Sequence, residues 1–157
     1  MSRRCLIALA LSAALAGAGC GGRTPPPEVR SVAVDADTAL GLRRRVDGFY
    51  LRLAHRRFNT LETYSDRIMR DHFRSPNLFL DYYADLAQAF ADAHVERRRP
   101  LLVEVLEMRF EDPQQARVRV RFIGEDDRPL RPNEVAFIRV DRWEWADGTW
   151  WVQPGKI

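Results

Sequence analysis

Asp141 and Arg139 are the residues of this 157-residue chain whose types and spacing come closest to a chemical site. They sit two apart in the alternating segment Glu134 to Trp145, so on a β-strand both side chains leave one face, with Val135, Phe137, Trp143 and Trp145. Among aromatic rings a carboxylate loses solvation, its pKa rises toward the range of a general base, and a nearby guanidinium can steady developing negative charge. Tyr82 or Tyr83 is then the group expected opposite the pair. The other face, with Ala136, Ile138, Val140, Arg142 and Glu144, also carries charge, so alternation alone does not choose. The commoner arrangement sets Arg139 and Asp141 at the exposed or rim end of a sheet, paired across strands with Arg117, Arg119, Arg121 or Glu104. That arrangement is the expectation: no catalytic residue is assigned, and Asp141 with Arg139 remains the candidate pair.

Other chemistries find less support. His55, His72 and His94 stand 17 and 22 residues apart, and none has a histidine or carboxylate at the spacing of a convincing metal pair. His94 reads as a solvated or capping histidine near a helix end. No glycine-rich phosphate loop follows a strand and no G-x-S-x-G turn occurs, so no metal, nucleotide or other cofactor is expected. Arg117, Arg119 and Arg121 alternate with Val118, Val120 and Phe122, the pattern of a half-covered sheet with its charged side in water.

The first twenty residues carry a different kind of information. Arg3 and Arg4 precede an apolar run from Cys5 to Ala16, and Gly17, Ala18 and Gly19 lead to Cys20. This is the order of a bacterial export signal, and the 16 uncharged residues fall short of the ~20 that a spanning helix needs. Cys20, followed by Gly21, Gly22 and Pro25-Pro26-Pro27, resembles the lipidated cysteine of a bacterial lipoprotein at the head of a flexible tether. Plain cleavage after Ala18 in Ala16-Gly17-Ala18 is the competing route. The expected organisation is a signal over 1–19, a lipidated Cys20 and tether over 20–37, and one domain over 38–157. With Cys5 removed and Cys20 acylated no disulfide remains. Loss of Arg3 and Arg4 leaves 23 basic against 22 acidic side chains, too balanced to gather a nucleic acid.

The elements that must position Asp141 follow from periodicity. Leu42, Val46, Phe49, Tyr50 and Leu53 form one helical face, and Phe58, Leu61, Tyr64 and Ile68 continue toward Phe73. One helix over that whole stretch would be ~48 Å long, so a break is expected at Asn59-Thr60, where Asn59 and Glu62 have capping-box spacing. Ser75 and Pro76 start a further helix that Arg97-Arg98-Arg99 and Pro100 close. After Pro100 the period becomes two. Leu101–Phe110 is expected as a largely buried strand. Ala116–Ile123, Glu134–Trp145 and Thr149–Val152 follow it, with turns at Asp112-Pro113-Gln114 and Asp147-Gly148. The fold class is α+β, N-terminal helices on one face of a curved four-stranded antiparallel sheet.

The broken helix, the second amphipathic helix and the strands ending in Arg142-Trp143-Glu144-Trp145-Ala146-Asp147-Gly148-Thr149-Trp150-Trp151-Val152 resemble the nuclear transport factor 2-like, or cystatin-like, cone fold over residues 38–154. That resemblance implies a cone that is either catalytic, as in isomerases and dehydratases that use an interior Asp or His base, or a non-catalytic binding or assembly domain. The expected function is non-catalytic binding by a lipid-anchored protein of the bacterial envelope, at the outer membrane facing the periplasm. The partner is an envelope protein or a small apolar ligand. A periplasmic enzyme with Asp141 as base, or an assembly factor that dimerises through its sheet, is the alternative. Trp143, Trp145, Trp150 and Trp151 are expected mainly in the core, with one or two free to anchor a partner.

Overall fold

A computed structural model describes residues 32–130 and 133–155, so the expected export signal, Cys20 and the expected tether up to residue 31 lie outside the described residues. Helix α1, Ala36–Ala54, begins where the Asp35 carboxylate accepts the Thr38 backbone N–H at 2.9 Å. This start lies just inside the segment assigned to the tether. Leu42, Val46, Phe49, Tyr50 and Leu53 are its buried face, as their spacing implies.

The helix breaks earlier than expected, at Ala54, and resumes after Asn59-Thr60 as two single turns on which Leu61, Tyr64 and Ile68 are exposed instead of forming an apolar face. Thr60, not Asn59, caps α2 (Leu61–Tyr64) through its side chain and the Thr63 N–H. Asn59 takes a left-handed φ of 64°, which Asn tolerates better than most residues, and so turns the chain. Helix α3, Arg67–Arg70, is capped by Asp66. In α4, Pro76–Asp92, Ser75 caps and Pro76 opens the first turn, both as read from sequence.

The end of α4 is a correction. The helix stops at Asp92, and Arg97 and Arg98 lie in a 3-10 turn, Glu96–Arg98, instead of closing α4. The cause is tertiary: Val95 is 2% exposed and bridges to Asp126, so the chain must leave the helix to bury it. His94, Arg97 and Arg98 take positive φ to make that turn.

Four antiparallel strands follow in the order β1-β2-β3-β4: β1 Leu102–Asp112, β2 Gln115–Glu125, β3 Glu134–Ala146 and β4 Thr149–Gln153. Asp147 and Gly148 both have positive φ, the requirement of a two-residue hairpin turn whose twist matches its strands. The sheet is curved. Phe110 on β1 and Trp150 on β4 have ring centroids 5.9 Å apart, although a flat sheet would separate strands three places apart by about 14 Å. Helix α1 packs against β1 and β4, inside this curve.

Strand β1 is the second correction. It is half-covered, with Leu102 and Leu106 exposed, because it is an edge strand and the helices all lie on the inner face. Strand β2 alternates cleanly: Val118, Val120 and Phe122 are buried, while Arg117, Arg119 and Arg121 point outward. They pair there with Glu111, Glu107 and Glu104, solvated contacts worth about 0–1 kcal/mol each. Phe49, Leu53, Phe79, Leu86, Phe90, Val118, Val120 and Phe122 are all fully buried between helices and sheet.

Candidate functional site

Strand register decides where Asp141 and Arg139 point. Asp141 pairs with Val118 and Arg139 with Val120, and both valines are core residues, so both charged side chains enter the inner face. The expected rim position is therefore overturned. Neither residue bonds to Arg117, Arg119, Arg121 or Glu104, which lie on the opposite face. The three large rings of the set, Phe137, Trp143 and Trp145, outweigh its two charges in deciding which face goes in.

Asp141 is 2% exposed and joins three elements. Its Oδ2 accepts the Tyr50 hydroxyl of α1 at 2.6 Å and the Tyr82 hydroxyl of α4 at 2.7 Å. Its Oδ1 accepts from Arg139 Nε at 2.5 Å. The other side of the Arg139 guanidinium donates to Asp85 Oδ2 at 2.5 Å, and its Cζ lies 4.7 Å from the Tyr82 ring centroid, a cation–π contact. Asp85, on α4, is partly exposed and closes the network toward water.

Electrostatics follow this geometry. Burial, then the Asp141 charge, push the phenols of Tyr50 and Tyr82 well above the ordinary value of 10, so both stay protonated donors. Burial works against the Arg139 charge, but Tyr82 and Asp141 more than compensate and its pKa is raised. A carboxylate with both oxygens already accepting from buried donors holds α1, α4 and β3 together. Three of its roughly four acceptor sites are taken in this way, and at 2% exposure it offers a substrate little access to the fourth.

Beside β3, where β4 ends, a cleft of about 840 Å³ has Asp85, Arg139, Asp141, Arg142 and Glu144 in its wall. The space inside the sheet is otherwise occupied by rings. Phe49 packs edge-on to Tyr82 and Trp143 with centroids 5.6 and 5.8 Å away.

The remaining candidates fall into place individually. Trp143 and Trp150 are buried, whereas Trp145 and Trp151 are half-buried, with the Arg45 guanidinium 5.7 Å from the Trp151 centroid. His94 contacts Asp127 at 3.2 Å across a solvated gap between loops. Among the described residues no group of His, Cys, Asp and Glu could hold a metal ion, and no helix is long and apolar enough to cross a membrane.

No family model, curated protein or solved structure matches the chain. The site therefore rests on its own geometry. Of its members, Tyr82 is a group the sequence sets opposite Asp141, while Tyr50 and Asp85 are additions from the structure. Tyr50 had a partial signal: a tyrosine on a buried helical face must find a partner for its hydroxyl, but which partner was not readable. Asp85 had none, since its contact depends on how α4 crosses β3.

His72 is buried beside the network, in contact with Phe49 and Trp143, and its Nδ1–H donates to the Ile68 carbonyl at 2.8 Å. Burial, reinforced by Arg45, lowers its pKa below the ordinary 6.5 against the weaker pulls of the Ile68 carbonyl and Asp71. Below that value the unfolded chain takes up a proton that the fold refuses, so stability falls with pH there. Urea unfolding at pH 7.5 and 5.5 is expected to show a larger drop for the parent chain than for His72→Gln. Equal drops would mean that His72 is solvated.

Proposed function

We propose that the chain is a lipid-anchored protein of the bacterial cell envelope whose nuclear transport factor 2-like domain binds a partner without catalysis. The observation that carries the non-catalytic part is the satisfied state of Asp141. A general base needs a lone pair open to substrate, and Asp141, 2% exposed, gives three of its roughly four acceptor sites to Tyr50, Tyr82 and Arg139 inside the core. The helices over one face of a curved antiparallel sheet are what the fold likeness implies. The charged wall of the cleft beside β3 favours a protein partner over a small apolar ligand. The anchor rests on the order of residues around Cys20, with outer-membrane sorting suggested by Gly21.

Two substitutions test the halves separately. Cys20→Ala is expected to abolish acyl labelling and release the protein from the membrane fraction. A parent chain that is soluble and starts at Gly19 would refute the anchor. Asp141→Asn, at a temperature where it is folded, is expected to restore function in cells lacking the protein. Failure of that folded variant to restore function would point to acid–base chemistry at Asp141.

A further inference from the structure

The edges of this sheet are protected unequally. Strand β1 carries register shifts between Val105 and Glu107 and between Phe110 and Asp112, irregularities that discourage pairing with another chain. On the outer edge of β4 the Val152 N–H donates to the His72 carbonyl, and the Trp150 carbonyl accepts from Arg45. Strand β3 is different. Its pairing with β4 covers only Arg142–Ala146, and Pro154, lacking an N–H, ends β4 there.

The directions of the backbone groups on the uncovered half can be counted from fixed points. Trp145 N–H donates to the Gln114 carbonyl and Asp126 N–H to the Asn133 carbonyl, so odd-numbered residues of β3 face β2. Ala136, Ile138 and Val140 therefore turn both N–H and C=O outward. No hydrogen bond from the described residues reaches those groups. Their side chains lie on the outer face, Ile138 and Val140 each 52% exposed. The register with β2 runs without a bulge from Glu125↔Glu134 to Gln115↔Glu144, and this stretch holds no Pro or Lys. An apolar edge without a bulge, which no described residue pairs, is a template for another strand.

The occupant is indicated by the spacing of charges. Glu134 and Arg142 lie on the same outer face, four residues to either side of Ile138, and among the described residues neither has an ion-pair partner. We propose that this edge pairs antiparallel with the same edge of a second copy of the chain, across a two-fold axis at Ile138. The pairing sets Ile138 against the partner's Ile138, Ala136 against the partner's Val140, and Arg142 near the partner's Glu134. The backbone ladder runs from Ala136 to Val140. Beyond it β4 occupies the edge, so the Arg142 and Glu134 side chains reach across. An axis at Phe137 would set Glu134 against Val140 and leave Arg142 without an acid. The contact is isologous, closes on two copies and makes one continuous eight-stranded sheet. It goes beyond the proposed function and depends on neither the anchor nor Asp141.

Hydrogen-bonded antiparallel partners have Cα atoms about 5.5 Å apart, within disulfide range. Full-length chain carrying Ile138→Cys, oxidised mildly in detergent, is expected to form a disulfide-linked dimer. The parent chain gives the background from Cys5 and Cys20, and Arg121→Cys, beside Ile138 but one strand in from the edge, should stay at that background. In the Ile138→Cys chain, Glu134→Arg alone and Arg142→Glu alone should each reduce the dimer several-fold, and the two together should restore it. Circular dichroism and melting temperature establish that each variant is folded. Absence of the dimer in folded Ile138→Cys overturns the proposal, as does a double swap no better than the singles. Crosslinking of the introduced thiol only to a different polypeptide would instead assign the edge to a foreign strand and equally overturn it.

Discussion

Asp141→Ala is expected to lower the free energy of unfolding by about 3–5 kcal/mol, the scale for removing one partner of a buried ion pair. The loss has three parts that act together. Arg139, with its side chain 14% exposed, keeps only Asp85 as counter-charge. The Tyr50 and Tyr82 hydroxyls lose the acceptor they share, and each becomes a buried donor without a partner. Total stabilities are about 5–15 kcal/mol, so a loss of this size shifts the guanidinium midpoint far toward water at an unchanged slope. Asp47→Ala is the contrast, because the Arg43–Asp47 pair is solvated on α1 and its removal should cost less than about 0.5 kcal/mol. A cost below about 1 kcal/mol for Asp141→Ala would mean that water reaches this carboxylate in solution.

Phe49→Ala is expected to cost a similar amount, about 3–5 kcal/mol, through a different cause. Phe49 is fully buried on α1, and its ring stands 5.1–5.8 Å from those of His72, Tyr50, Tyr82, Phe73 and Trp143. Those rings belong to helices and sheet alike and cannot all collapse into the space a phenyl leaves, so a cavity persists beside the transfer cost. Phe49→Leu, which fills most of that volume, should lose clearly less. Equal melting temperatures for the Ala and Leu variants would show that the interior repacks as a fluid and that the ring contacts carry no specificity.

The parts of this fold that could be read from sequence are those governed by local rules. The face of α1, the Ser75-Pro76 start of α4, the alternation of β2 and the Asp147-Gly148 turn each depend on a few neighbouring residues, and each appears as read. The misjudged features are set at long range. Helix α4 ends early because Val95 is drawn to Asp126, and β1 is half-exposed because nothing among the described residues covers the outer face. The site shows the same division. Alternation put Asp141, Arg139 and Trp143 on one face, but Arg142 and Glu144 charge the other, so hydrophobic pattern gave a near tie. Only the register with Val118 and Val120, together with the position of Tyr50 far away in sequence, resolves it.

The strand order has a consequence for the time course of folding. Every strand pairs with its predecessor, so the sheet assembles by closing short loops, two of them turns of only two residues at 113–114 and 147–148. The bonds that fasten helices to sheet close much longer loops, 59 residues for Tyr82 to Asp141 and 91 for Tyr50 to Asp141. Closure entropy rises with loop length, which places the hairpins early and the helix docking late. Contacts absent from the transition state act on unfolding alone. The stability that Asp141 contributes is therefore mostly a matter of lifetime: it slows escape from the native state and leaves the rate of reaching it nearly unchanged.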